Sequence, residues 1–212
     1  MILRRFAPAL IGLLLWTAAF ADDAPHIPAG FASDGSARVA EVIDGDSLTL
    51  ADGRTVRMVG IQAPKLAKGR VGFVDWPLSH EAEAALHELA AGQSVTLLYG
   101  GARQDRSGRV LAQLQLADGL WLEGEMLRRG LARVYTFADN RTGAAEMLRL
   151  EADARAARLG IWNDPFYAVR KPDEALDHID SFELVRGGSS TRHACAVPCS
   201  SISVPTGTRH LR

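Results

Sequence analysis

The residues best suited to chemistry lie between Val42 and Lys65, in the stretch VIDGDSLTLADGRTVRMVGIQAPK. Asp44 and Asp46 flank a single glycine, Arg57 follows after a hairpin signal, and Ala63-Pro64 breaks the pattern. Carboxylate oxygens are hard ligands for a cation such as calcium, and a guanidinium fork matches a phosphoryl group. Two acids, an arginine and a chain break in one place point to phosphate or metal chemistry. Each residue also has a plainer reading: acidic turns are common on surfaces, Arg57 can pair with Asp46, and Arg109 can cap a turn with Asp105.

The elements around these residues must bring them together. Ser36 to Ile43 reads as a first strand, Ser47 to Leu50 alternates as a second, and Asp52-Gly53 turns the chain into a third over Thr55 to Val59. Such a meander holds both carboxylates and Arg57 at one sheet end. Lys65 to Pro77 is a loop too irregular to assign. A helix follows over Leu78 to Ala91, with Ser79 as expected N-cap, Ala82, Ala85, Leu86 and Leu89 as its apolar stripe, and Gly92 as its stop. His80 and His87 on that helix have no partner spacing and are expected to be surface or packing residues.

Gln93 to Tyr99 and Val110 to Leu116 supply two more strands, joined through the polar turn Asp105-Arg106-Ser107-Gly108-Arg109. Leu122 to Arg129 is a short helix closed by Gly130, and Leu131 to Tyr135 is extended. Thr142 to Leu159 is the longest helix, with Leu148, Ala152 and Leu159 on one stripe and Met147, Leu150 and Ala154 beside it. Five strands, a helix after the third and helices after the fifth describe a mainly β, α+β fold: a five-stranded Greek-key barrel of the oligonucleotide-binding (OB) kind with about three helices.

The chain ends carry different signals. Arg4 and Arg5, an apolar run from Ala7 to Ala19 and Ala19-Phe20-Ala21 have the layout of a secretory signal peptide over residues 1–21. A retained anchor is the alternative, but the run is shorter than the roughly 20 residues a spanning helix needs. Export to the periplasm or the outside, without stable membrane insertion after cleavage, is therefore expected. A leader over 22–35, the barrel domain over 36–163, an extension over 164–185 with a strand at Ser181 to Val185, and a disordered tail over 186–212 complete the layout. Cys195 and Cys199 both fall in the tail, so neither staples the core, and with His193 alone they do not make a zinc site.

The 212 residues carry 24 basic and 25 acidic side chains, and losing Arg4 and Arg5 takes the formal charge from -1 to -3. That balance excludes indiscriminate coating of nucleic acid, which needs a basic face. Any anion site must be local.

The sequence resembles the thermonuclease family, whose best-known member is staphylococcal nuclease. The resemblance rests on Val42 to Leu48, Val56 to Pro64, Glu81-Ala82, Asp105 to Arg109, Gly130 to Val134 and Gly160 to Trp162, in that order. It implies the same barrel, a monomer, a nucleic acid or nucleotide phosphate as partner, and calcium-dependent hydrolysis of DNA and RNA phosphodiesters. Asp46 matches the first metal ligand, Asp44 an outer acid near the metal, and Arg57 and Arg109 the arginines that hold the phosphate.

Two positions depart from the family pattern, both at the chemistry. Gln62 stands where the second metal-binding aspartate is expected, and Lys65 where a glutamate helps to activate water. A lysine near its ordinary pKa of about 10.4 is protonated and takes no proton from water. Exchanging two carboxylates for an amide and an ammonium makes the site more positive by three units. At about 4 Å and an effective dielectric near 20, each pair of unit charges interacts by about 4 kcal/mol, so calcium affinity is expected to fall far. The expectations are therefore a nuclease with weak, altered or lost activity, with Asp75 or Glu81 as candidates to replace the missing carboxylate, or else a non-catalytic OB module that binds nucleic acid, nucleotide or another anion.

Overall fold

A computed structural model of the chain describes residues 24–174, 177 and 182–186. The signal-peptide and tail expectations, with Cys195 and Cys199, lie outside those residues. The chain divides into two compact units, one ending at Tyr167 and one beginning at Ala168. Among the described residues no helix is long and apolar enough to cross a membrane.

The first unit is built on alternation. Strands β1 (Ala32–Asp44), β2 (Ser47–Leu50), β3 (Thr55–Met58), β5 (Ser94–Tyr99) and β6 (Val110–Leu116) close a barrel in the order β1-β2-β3-β6-β5. Inward residues such as Leu48, Val56, Leu97 and Leu114 are fully buried, each contributing roughly 1.5–3 kcal/mol of apolar burial. All pairings are antiparallel except β3 with β6, where Val56 pairs with Val110 and Arg57 with Leu111. This is the expected five-strand barrel.

Several boundaries differ from the pattern reading, two of them in the strands that carry the site. β1 starts at Ala32 rather than Ser36, because Ala32 and Ser33 pair with Tyr99 and Leu98 of β5. The third strand stops at Met58, and Gly60, with φ of 86°, turns the chain out of the barrel into β4 (Gly60–Gln62). Only glycine adopts that conformation without strain. β4 then pairs outside the barrel with β7 (Arg133–Tyr135), placing Gln62 opposite Arg133.

Three helices cover the barrel. In α1 (Ser79–Ala90) the N-cap is Leu78 in a left-handed conformation, not Ser79, which is the first helical residue. The helix buries Ala82, Ala85, Leu86 and Ala90. It closes on the acidic turn so tightly that a Cβ on Gly45 would lie 2.7 Å from both the Ala63 and Ala82 methyls. α2 (Leu122–Arg128) ends as expected before Gly130, whose φ is 67°.

In α3 (Ala144–Ala156) the buried face is Met147, Leu150, Glu151 and Ala154. The stripe first expected to pack is solvated: Leu148 and Ala152 are exposed, and Leu159 lies exposed beyond the helix end. Glu151 explains the shift, because its carboxylate accepts from the Val134 amide at 2.8 Å and from Arg155. A charged residue thus occupies a packed position at little cost.

In the second unit, β8 (Val169–Arg170) pairs in parallel with β9 (Leu184–Val185).

Candidate functional site

The β1-β2 turn places Asp46 at zero exposure between the barrel and α1. Its carboxylate is fully engaged. Lys65 Nζ donates to Oδ2 at 2.7 Å and to Oδ1 at 3.0 Å, the Ala63 amide donates to Oδ2 at 2.8 Å, and the Ser47 hydroxyl donates to Oδ1 at 3.2 Å. Arg57 Nη1 adds a contact at 3.4 Å. Burial alone would raise this carboxyl's pKa, but the charges of Arg57 and Lys65, with the Lys65 and Ala63 hydrogen bonds, hold it below the usual range. Asp46 is a buried, fully compensated anion.

Asp44 differs from its neighbour. Its Oδ1 accepts the Asp46 amide at 3.0 Å, closing the turn. Burial and then the Asp46 charge raise its pKa, with Lys65 opposing. The two acids are pushed apart in acidity, Asp44 upward by burial and the Asp46 charge and Asp46 downward by Arg57, Lys65 and its hydrogen bonds.

Arg57 sits on β3 directly across from Ser47, as the hairpin pattern requires. Its guanidinium is nearly all spent on backbone: Nη1 donates to Met58 O at 2.6 Å and Asp46 O at 3.3 Å, and Nη2 to Ile61 O at 2.8 Å. It therefore ties the turn to the chain leaving the barrel. Arg109 enters from the start of β6, its Nε donating to Asp105 Oδ2 at 2.7 Å. Asp105 Oδ1 meanwhile caps the amides of Ser107 and Arg109 at 2.9 and 3.0 Å. The plain readings of both arginines hold, and both also line one cavity.

That cavity measures about 1030 Å³. Six cations, Arg57, Lys65, Lys68, Arg70, Arg106 and Arg109, line it against three aspartates, Asp44, Asp105 and Asp139. On a chain of net charge -1 this is a local positive focus, which concentrates anions by field as well as by contact. Tyr135 and Phe137 form part of its wall, their rings edge to face at 5.0 Å.

The donor set does not fit calcium as arranged. Calcium takes six to eight oxygens, whereas both Asp46 oxygens are held by an ammonium and Gln62 Oε1 accepts from Arg133. Among the described residues no group of three or more His, Cys, Asp or Glu side chains is placed to hold a metal. The candidate substitutes are elsewhere: Asp75 binds the Ala67 amide and His80, Glu81 is exposed on α1, and neither lines the cavity. His80 pairs with Asp75 at the surface, and His87 is exposed.

Sequence reasoning missed Lys68, Arg70 and Arg133. The first two lie in a loop without periodicity, and Arg133 is brought in only by the β4-β7 pairing. Also missed is Glu123, fully buried on α2, whose two carboxylate oxygens accept the Leu114 amide at 3.1 and 3.0 Å. Burial pushes its pKa up to about 8.

A closed five-strand OB barrel with a cationic pocket beside its acidic turn defines a nuclease-type domain. The chain matches the family model described as "Staphylococcal nuclease homologue" over residues 55–164, and it belongs to that family. It is 27% identical over 165 residues to an "Uncharacterized endonuclease" of Escherichia coli, covering 76% of this chain and 92% of that one. A "Probable staphylococcal-like nuclease" of Oryza sativa subsp. japonica is 31% identical over 113 residues, 53% of this chain and 30% of the plant protein. "Protein ParB" of Escherichia coli is 31% identical over 138 residues, covering 60% and 72%.

Proposed function

We propose that this protein is an exported, monomeric nuclease-type domain that grips a nucleic-acid phosphodiester in the cationic cavity without calcium, and that its calcium-dependent hydrolysis is weak or absent. The carrying observation is Lys65 Nζ seated on both oxygens of Asp46. With both oxygens engaged by an ammonium, Asp46 is not free to serve as a ligand for a divalent cation. Family membership and the endonuclease relative support a nucleic acid as the ligand.

The residues then divide the task. Asp46 fixes Lys65, the Met58 and Ile61 carbonyls fix Arg57, and Asp105 fixes Arg109, so the cations are pre-oriented and lose little entropy on meeting a phosphate. Salt should weaken the binding, because the attraction is largely electrostatic. A purely binding OB module is the second reading, favoured by the placement of Asp75 and Glu81 away from the cavity.

The test is a binding and cleavage assay on the mature chain, with calcium and with EDTA, against Arg109→Ala. Salt-sensitive binding in EDTA that Arg109→Ala weakens supports the reading. Efficient cleavage that depends on calcium would overturn it. Export is checked by the mass of the chain recovered outside the cytoplasm, which should lack residues 1–21.

A further inference from the structure

Gln62 ends β4, and its backbone is fixed on both sides. The Ile61 carbonyl accepts from Arg57 Nη2 at 2.8 Å, and the Ala63 amide donates to Asp46 Oδ2 at 2.8 Å. Ile61 is fully buried, so alternation along the strand turns Gln62 the other way, and it lines the cavity. Directly opposite on β7 stands Arg133, and residues that face each other across an antiparallel pair put their side chains on one face. Arg133 is held there in turn. Its guanidinium lies 4.8 Å from the centre of the Tyr135 ring, and the next amide, Val134, is tied to Glu151 at 2.8 Å.

This pairing fixes which way the Gln62 amide points. Arg133 Nη2 donates to Gln62 Oε1. A guanidinium has five donors and no acceptor, so only the carbonyl end of the amide can face it. The NH2 end is left over, and it makes no hydrogen bond to any of the described residues. Arg133 is not part of the cavity lining, whereas Gln62 is. A glutamine ligates a hard cation through its carbonyl oxygen, and that oxygen is taken; its NH2 group donates to anion oxygens.

We infer that Gln62 Nε2 donates a hydrogen bond to a non-bridging oxygen of the phosphate bound in the cavity, and that Arg133 is the positioning residue that holds the amide in this sense. The inference rests on the reading of the cavity as a phosphate site. Arg57, Lys65 and Arg109 attract any anion by charge, while a neutral donor of fixed direction selects for an oxygen placed to accept from it. Gln62 thus does the opposite of a metal ligand, and Arg133 decides that it does so.

The test measures binding of a labelled eight-nucleotide thymidine oligomer to the mature chain in EDTA, in a double-mutant cycle over Gln62→Met and Arg133→Met. Gln62→Met keeps the length of the side chain and its lack of charge but removes the donor, and should weaken binding about tenfold, the order of one hydrogen bond to a charged group. Arg133→Met should also weaken binding, but by less than about twofold once Gln62→Met is in place. Arg133→Lys still donates to the amide oxygen and should recover most of the loss. In nitrogen–proton NMR spectra the Gln62 side-chain NH2 resonance, assigned by its disappearance in Gln62→Met, should shift when thymidine 5′-monophosphate is added. Should Gln62→Met not fold, Gln62→Glu, which keeps an acceptor for Arg133 and lacks the donor, decides instead, and wild-type affinity there overturns the inference. A pair that only pins β4 to β7 would leave the oligomer affinity of folded Gln62→Met and the NH2 resonance unmoved; either result overturns the donor role while the cavity reading stands. Equal losses from Arg133→Met in both backgrounds would overturn the positioning role, leaving Arg133 to act by its charge. An oligomer that fails to bind the wild type removes the phosphate reading of the cavity as well.

Discussion

Lys65 Nζ stands 2.7 and 3.0 Å from the two carboxylate oxygens of Asp46, which has no exposed surface. One residue thus neutralises the buried acid, contributes charge to the cavity and roots the loop that walls it. Removing it strands a carboxylate that Arg57 alone only grazes at 3.4 Å. Lys65→Ala should destabilise the fold by about 2 kcal/mol, less than a wholly buried pair because the lysine is partly exposed. Urea unfolding at neutral pH measures it; a change under about 0.5 kcal/mol would show that the pair is incidental.

Calcium provides the second check. A ligand that binds only the native state stabilises by RT ln(1 + [L]/Kd). Millimolar calcium should leave the melting temperature of the wild type within about 1 °C, whereas Lys65→Glu with Gln62→Asp should make it rise in a saturable way. Hydrolysis should appear or increase in the double variant over the wild type. A wild type that already shows the saturable shift rebuilds a site from other oxygens.

Glu123 predicts a pH dependence with a defined sign. Its folded pKa, about 8, is raised above the ordinary 4.5 because burial disfavours the charged form. The group's contribution is therefore fully present below pH 4.5 and is lost as pH rises through about 8. Stability should decline between about pH 4.5 and 8, by at most about 5 kcal/mol at 1.36 kcal/mol per unit. Glu123→Gln should flatten that decline in thermal melts, and an unaltered slope would assign it to other groups.

Gly45→Ala tests the closeness of α1 to the acidic turn. The added methyl would meet Ala63 and Ala82 at 2.7 Å, with no flexible side chain to yield. Overpacking of this kind costs about 1–3 kcal/mol. It should also disturb the Asp46 contacts, so anion binding falls together with the melting temperature.

Much of the barrel was legible because alternation and two-residue turns are local signals. Asp52-Gly53 alone sets Arg57 across from Ser47. Lys65 was legible beside Asp46 only through the family resemblance, since it follows Pro64 in an aperiodic loop whose path local pattern does not set. Gln62 reads as a neutral oxygen donor until β7 pairs with β4 and delivers Arg133. In α3 the two candidate stripes are neighbours on one helix, and Glu151 disguised the buried one. Only the β7 amide that it accepts makes the acid's position intelligible.

The one parallel pairing in the barrel also orders events in time. Asp46, Arg57 and Lys65 come from a single short stretch, so their ion cluster can assemble as soon as the β1-β2-β3 meander exists. Arg109 arrives only when Val110 finds Val56 across a long intervening segment that includes α1 and β5. Closing that loop carries an entropic cost that local contacts do not share, and such distant strand pairings are slow steps. A folding chain would therefore neutralise its buried acid early and complete the cationic lining of the cavity last, at ring closure.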